Sequence, residues 1–454
     1  MESTQSNSAA SFKENLGFKD YLGFGFGDMA VNFTFASLGM FVVFFYTDVI
    51  GISAGIIGTL MLFSRSFDGI IDVVIGGLVD KTHSRWGKTR PWLLFGAIPF
   101  AALTILLFAV PSGWSETAKI VYIFLSYNIL MIAFSSIAIP YGTLNSLVTR
   151  DQHQREIFNL FRMFMAQIGV LIVTNATMPL VSFFGNKQSS WVATYAILSG
   201  ISVILLLIVF KSQRERVTVS AQEKIPLKIS LQAIAHNKYW WIATIFFIIY
   251  SVGYALNQGS TIYYAKYILH NDSLVGVLTI GYLVPVLVGF VVIASLFKKY
   301  GKTKVMLYGS LVSIFGYLFT LVSPDNFWIV MTAQIIKGFG QAPLLGGVWA
   351  MFPDTIEYGE WKTHVRIEGL LYSGGSLGQK IGVGLGTALT GWVLAFGHYN
   401  GALATQSSSA IQSIYQLFIY IPLIIYVLQI VMLRMYDLDK KYPKIMSDLA
   451  ERNK

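Results

Sequence analysis

The chain alternates between long apolar runs and short polar connections, most of them basic. Each apolar run holds at least about 20 residues, enough for a helix to cross the hydrocarbon core of a bilayer. Twelve are expected, at roughly 20–47, 54–79, 91–110, 118–146, 157–184, 191–210, 239–268, 274–297, 304–322, 326–352, 365–396 and 411–435. The first 16 residues are polar and lack an apolar run with a small-residue cleavage site, so they read as a disordered cytoplasmic tail rather than a leader. One long hydrophilic connection, 211–238, splits the runs six and six. The expected organisation is a tail over 1–16, a six-helix bundle over 17–210, a linker over 211–238, a second six-helix bundle over 239–436 and a cytoplasmic tail over 437–454.

Composition agrees with a polytopic membrane protein of all-α class. Hydrophobic residues make up 54% of the 454 and charged residues only 12%, too few charges to cover the surface of a soluble protein this size. With no cysteine, a disulfide framework, a thiolate metal site and a cysteine nucleophile are excluded. The net charge of +10 has its cause in topology. Twenty-six Lys and Arg fall on the tails and alternate loops, against three (Lys119, Lys187 and Lys266) on the other side. That bias predicts a multi-pass protein of the cell membrane with both termini in the cytoplasm. It also accounts for the basicity without a nucleic-acid partner, and nothing in the pattern asks for more than a functional monomer.

An internal echo supports two related halves. Gly87-Lys88-Thr89-Arg90, then Leu94-Phe95-Gly96, returns 214 residues later as Gly301-Lys302-Thr303-Lys304, then Leu307-Tyr308-Gly309. Repeated six-span halves are the architecture in which a midplane site lies between two rocking bundles.

Ionisable residues within the runs are costly in hydrocarbon and should face a partner or a cavity. They are Asp28, Arg65, Asp68, Asp72, Arg162, Lys337 and Lys380. Asp68 and Asp72 are spaced i, i+4 and share a helix face. Two carboxylates that close raise each other's pKa, and a bound proton or metal ion relieves both, as a coupling site for H⁺ or Na⁺ requires. Arg65, one turn earlier, offers the alternative of a permanent ion pair. Asp28, with Arg162 and Lys380 facing it, would suit the hydroxyls of a sugar; interhelical ion pairs are the plainer role.

In span 11, Gly374, Gly378, Gly382 and Gly386 form a smooth ridge for a close helix neighbour. Tyr250, Tyr254, Asn257, Gln258 and Trp349 are candidates for sugar contacts, with packing the plainer reading. The loop segments holding Asp80, Arg85 and Lys88, and Asp354, Glu357 and Arg366, are expected to form a cytoplasmic gate whose ion pairs join the halves while the cavity opens outward, with solvated surface the plainer reading.

Taken in order, Gly27-Asp28-Met29-Ala30, Tyr46-Thr47-Asp48-Val49, Phe67-Asp68 through Asp72, Arg85-Trp86-Gly87-Lys88, Ile139-Pro140-Tyr141-Gly142, Asp354 through Glu360 and Val365-Arg366-Ile367-Glu368-Gly369 resemble the glycoside–pentoside–hexuronide cation symporters of the major facilitator superfamily. The pattern is nearer to glucuronide and pentoside (xyloside) permeases than to melibiose permeases. The resemblance implies twelve transmembrane helices in two pseudo-symmetric bundles and symport of a glycoside with H⁺ or Na⁺, with no other cofactor. It implies cation coupling at Asp68, Asp72 and Ser135, and sugar binding at Asp28, Arg162, Trp349, Ser376 and Lys380. Three positions depart from the melibiose permeases: Ile71 replaces a cation-site amide, Ala138 an aspartate and Gly142 a sugar-stacking Trp. Fewer oxygen ligands favour H⁺ over Na⁺, although Na⁺ at Asp68 and Asp72 is the alternative ion. A carrier of another solute, such as a lysolipid, is the rival reading, ahead of a membrane-embedded enzyme.

Overall fold

A computed structural model of the chain describes residues 16–149, 152–216, 234–363 and 369–452. Among them, long helices follow one another: α1 (Phe18–Met40), α2 (Ala54–Lys81), α3 (Arg90–Phe108), α4 (Glu116–Val148), α5 (Gln152–Phe183) and α6 (Gln188–Ser212) in the first half. The second half has α7 (Lys238–Tyr267), α8 (Leu274–Tyr300), α9 (Lys302–Thr320), α10 (Phe327–Thr363) and α11 (Gly369–Phe396). It ends with α12, made of Ser408–Tyr415 and Ile421–Met435 joined by a wider turn, and with α13 (Leu438–Arg452). Beyond Met40 the first helix bends by 50° and runs on to Val49. The expected tail 1–16 and linker 211–238 fall mostly outside the described residues.

Seven of these segments are apolar and long enough to cross a membrane alone, and α1 with its bent continuation makes an eighth. The other four, α2, α9, α10 and α11, interrupt their apolar runs with charge, Gly or Tyr, and neighbouring helices satisfy what lipid would not. Among the described residues, seven helices keep an internal proline, at Pro99, Pro140, Pro179, Pro285, Pro343 and (again in α10) Pro353, at Pro422 in α12, or at Pro443 in α13. Packed neighbours make such breaks tolerable in a membrane bundle.

The sequence echo has a structural cause. Gly87 is at φ +104°, and the loop it turns cradles the Glu215 carboxylate. Backbone amides of Lys88 and Thr89 donate to it at 2.7 Å, as does the Thr89 hydroxyl. Glu215 thus caps α3 from the end of α6, where an anion is favoured by the unpaired amides and the helix dipole. In the second half Gly301 is at φ +82° and the Thr303 amide donates to Asp439 Oδ2 at 2.9 Å, so an acid that follows α12 caps α9.

That acid belongs to a segment expected to be a tail. It is instead an amphipathic helix, α13, docked on the second half through buried Ile445 and Leu449, with Trp361 Nε1 donating to Asp448 at 2.8 Å. At its start, hydrogen bonds from Lys441 and Tyr239 hold the Asp437 carboxyl down at about 2. Apolar residues one turn apart in an otherwise charged stretch gain enough by burial to fold the segment against the bundle.

The Gly ridge of α11 packs on α7 in four-residue steps. Gly374, Gly378, Gly382 and Gly386 meet Trp240, Thr244, Ile248 and Val252 respectively. A Cβ at Gly382 would stand 2.5 Å from both the Ile248 carbonyl oxygen and Ser251 Cβ. Gly382→Val is therefore expected to cost about 3 kcal/mol or more through overpacking, read as a sharp fall in the melting temperature of detergent-purified protein.

On its other side α11 runs antiparallel to α2, and α8 runs beside α5. These contacts are tight away from the basic loops. A Cβ at Gly391 would lie 2.8 Å from Gly58 Cα, and one at Gly276 2.5 Å from Asn175 Oδ1. Toward the basic end, Gly76 and Gly77 of α2 face open space. The close glycine contacts between the halves thus lie at the end away from the basic loops.

Candidate functional site

The acids of α2 come together with Ser135 of α4. The Ser135 hydroxyl stands 2.6 Å from Asp72 Oδ1 and 3.3 Å from Asp68 Oδ1. Both carboxylates also meet a cation from the other half: Lys380 Nζ is 3.2 Å from Asp68 Oδ2 and forms an ion pair with Asp72. The side chain of Asp68 is only 4% exposed. The three residues expected at a cation site therefore share one cluster, and Lys380 joins them.

This corrects the expected grouping of Asp28, Arg162 and Lys380. Lys380 faces α2, not α1, because Gly384, one turn along, packs on Arg65 Cβ and turns that face of α11 toward the acids. The acids are thus compensated at close range by the other half, and more distantly by the arginine on their own helix. Arg65 Nη1 only approaches Asp68, at 3.9 Å, and its guanidinium lies 5.6 Å from the centre of the Phe35 ring and 6.0 Å from that of Tyr127.

Asp28 of α1 pairs with Arg162 of α5, whose Nε donates to Asp28 Oδ2 at 2.7 Å. Close packing sets the pair: a Cβ at Gly169 would stand 2.9 Å from the Met29 carbonyl oxygen. The Tyr141 ring lies under the guanidinium at 4.8 Å, fixed by its hydroxyl donating to the Phe24 carbonyl at 2.7 Å. Its neighbour Gly142 borders open space. Trp349 and Ser376 belong to the second half. Trp349 packs edge-on against Phe247 with centroids 4.8 Å apart, and Ser376 is exposed one turn from Lys380 on the same face of α11. Lys337 joins neither group; it lies between the rings of Tyr317 and Phe418, 4.5 and 4.4 Å from their centres.

The expected gate does not bridge the halves through its described ion pairs. Lys88 pairs with Asp80 at 2.6 Å inside the first half, and Asp354 pairs with Lys302 inside the second. Arg85 lies over Trp86 at 4.0 Å, Glu357 is in the last turns of α10, and Arg366 is outside the described residues. Those two described pairs are local, one in each half.

The bridge is at the other end, on a residue not proposed for a site. Asp48 Oδ1 accepts from Lys266 Nζ at 2.7 Å and the Tyr267 hydroxyl at 2.8 Å, and Oδ2 accepts from the Tyr399 hydroxyl at 2.7 Å. Next to it, the Thr47 and Tyr263 hydroxyls are 3.0 Å apart. One acid of the first half thus holds three side chains of the second. A signal was available in sequence: Lys266 is one of three cations that defy the charge bias, and Asp48 sits at the end of an apolar run.

Two halves joined at one end around an interfacial charge cluster are the geometry of an alternating-access carrier. A family model described as MFS/sugar transport protein matches residues 23–440. The chain belongs to that family. Among relatives of this sugar-transport family member, the isoprimeverose transporter of Lactiplantibacillus pentosus is 33% identical over 95% of this chain and 91% of its own length. The glucuronide carrier protein homolog of Escherichia coli (strain K12) is 33% identical over 97% of each. The nucleoside transporter NupG shares the fold, with a TM-score of 0.65 and 14% identity over 92% of this chain and 99% of its own. A bacterial homolog of the human lysosomal transporter Spinster, in an inward-facing and unoccupied conformation, has a TM-score of 0.67 and 13% identity over 94% of this chain and 97% of its own. The fold is therefore that of the major facilitators.

Proposed function

We propose that this family member imports a glycoside by symport with one monovalent cation, exchanging Lys380 for that cation at Asp68 and Asp72. The observation that carries the reading is the bridge from Lys380 to both acids across the interface of the halves. The names of the two relatives at 33% identity support a glycoside as cargo.

The local charge count gives the mechanism. Asp68 and Asp72 are balanced by Arg65 and Lys380. When the halves rock and Lys380 withdraws, one negative charge is left in low dielectric. A cation then binds, restores neutrality and lets the loaded carrier close. Exchange of one charge for another predicts a ratio of one cation per sugar. Two carboxylates and a hydroxyl suffice for a proton, and Ile71 and Ala138 bring no oxygen ligand, which supports H⁺ as the coupling ion. Asp28 and Arg162 serve as the first contacts for the sugar, with the space beside Gly142 accepting a ring.

The basic loops and both termini face the cytoplasm in this reading, by the distribution of Lys and Arg, and the protein works as a monomer in the cell membrane. The conformation described, joined through Asp48 and parted at the basic end, is then the inward-facing one. As a test, Asp28→Ala should weaken binding of a labelled glycoside to protein in nanodiscs by about a hundredfold, since it removes two hydrogen bonds to a charged group and leaves Arg162 unpaired. Wild-type affinity in that variant would remove Asp28 from the sugar site.

A further inference from the structure

Arg85, expected at the gate, takes no part in the site described above. It is exposed, with its guanidinium 4.0 Å over the centre of the Trp86 ring. Trp86 in turn packs edge-on against Phe95, with centroids 5.5 Å apart. Phe95 is 61% exposed and forms part of the wall of a groove of about 450 Å³, which runs between the end of α2 and α3 with α4 behind it. Exposed Ile98 and Ile132 adjoin the lining residues Pro99 and Ala133 in the chain, so the groove opens on an apolar face of the first half. In a membrane protein such a face meets lipid.

Small residues hollow the groove out: Gly96 of α3, with Ala133 and Ser136 of α4, makes its floor. The two helices touch there, since a Cβ at Gly96 would stand 2.7 Å from Ile137 Cδ1. Trp92 is held at the polar end by its Nε1 donating to Thr82 Oγ1 at 3.0 Å. A Trp with its ring on apolar surface and its N–H on a polar group suits the boundary between headgroups and acyl chains. From Pro91 to Pro99 the helix rises about 12 Å, close to the roughly 15 Å depth of one leaflet's hydrocarbon. The charge at the polar end is positive. Asp80 pairs with Lys88, the Glu215 carboxylate is taken up by the loop amides, and Arg90 donates to the Phe210 carbonyl. That leaves Arg85 and Lys81, which adjoins Thr82; both are exposed and neither has a carboxylate partner among the described residues. A guanidinium stacked on a ring keeps its N–H edge free, and that edge fits a phosphate.

We propose that this groove binds an anionic phospholipid from the leaflet on the basic-loop side, with its phosphate on Arg85 and Lys81 and one acyl chain along Phe95, Gly96 and Ala133. Charge complementarity selects the occupant. A lipid without net charge fills the groove but does not balance the cations, and a free anion balances the cations but leaves the groove bare. The assignment goes beyond the transport reading and depends on neither its cargo nor its coupling ion.

The test is native mass spectrometry of the full-length protein in detergent, titrated with phosphatidylglycerol or with phosphatidylcholine of the same chains. A basic residue beside an anionic headgroup is worth about fivefold in affinity. Wild-type protein should therefore bind its first phosphatidylglycerol about thirtyfold more tightly than phosphatidylcholine. Arg85→Gln should lower that ratio to about fivefold, and adding Lys81→Gln should bring it close to one. Lys299→Gln removes an equally exposed cation, over the Tyr300 ring in the second half, and should keep the wild-type ratio. Ala133→Phe fills the floor and should weaken the first phosphatidylglycerol by about tenfold, the worth of two buried methylenes. Glycerol phosphate, which has the charge without the chains, should not displace the lipid. No preference in the wild type, a wild-type ratio in Arg85→Gln, or binding unchanged by Ala133→Phe overturns the site. Displacement by glycerol phosphate also overturns it, as the mark of a site for anions alone. So does a dimer that Ala133→Phe abolishes, which would make the groove an interface between copies of the chain.

Discussion

Asp72→Asn should abolish uphill accumulation of the glycoside, lowering gradient-driven uptake by about a hundredfold or more, while exchange of sugar across the membrane persists. Asp72 forms an ion pair with Lys380 and accepts from Ser135, so its carboxylate connects α2, α4 and α11. Neutralising it leaves Arg65 and Lys380 against Asp68 alone. The cluster is then neutral once Lys380 leaves, and no cation is needed to restore balance. Removing one partner of a buried charge pair costs about 3–5 kcal/mol, which sets the expected size of the loss. Asp68→Asn should do the same by the same charge count. Uptake of labelled glycoside into vesicles under an imposed proton gradient, set beside counterflow in its absence, separates the two activities. A variant that loses both equally has lost sugar binding or folding instead, and the charge argument would not explain it.

The second large effect is expected at the closed end. Asp48→Asn should shift the carrier toward the state open at that end by about 2 kcal/mol, about thirtyfold in population, because it weakens three hydrogen bonds that cross between the halves. The geometry behind this is the Asp48 carboxylate accepting from Lys266, Tyr267 and Tyr399. The absence of cysteine from the chain makes the measurement clean. A single cysteine in place of Met40, buried just beyond the bridge, should react with a membrane-impermeant thiol reagent about thirtyfold faster when Asp48→Asn is added. An unchanged rate would show that the helix contacts at Gly58 and Gly391, not Asp48, keep this end shut.

What the sequence made legible follows from which forces act within one helix. The Gly ridge of α11 and the shared face of Asp68 and Asp72 are set by helical period, and both are found as expected. The pairing of Lys380 was not legible, because it depends on which face of α11 meets α2, and that is decided by the contact of Gly384 with Arg65 across two halves. The loop echo was visible as a motif, but its meaning lay in Glu215 and Asp439, acids more than 100 residues downstream that fill the cradles. The expected gate assumed that ion pairs near the basic loops would join the halves. Among the described residues, the side-chain bridge at the helix ends that does join the halves is the one at Asp48, away from those loops. The helix α13 was missed because its charge hid two apolar residues at helical spacing.

The central claim is that Lys380 stands where the coupling cation will stand. Its most direct test is the ratio of charge to labelled glycoside entering proteoliposomes under a proton gradient, recorded for the wild type and for Asp72→Asn. The account predicts one charge per sugar for the wild type and no coupled charge for the variant. Gradient-driven accumulation by Asp72→Asn at the wild-type ratio would contradict it.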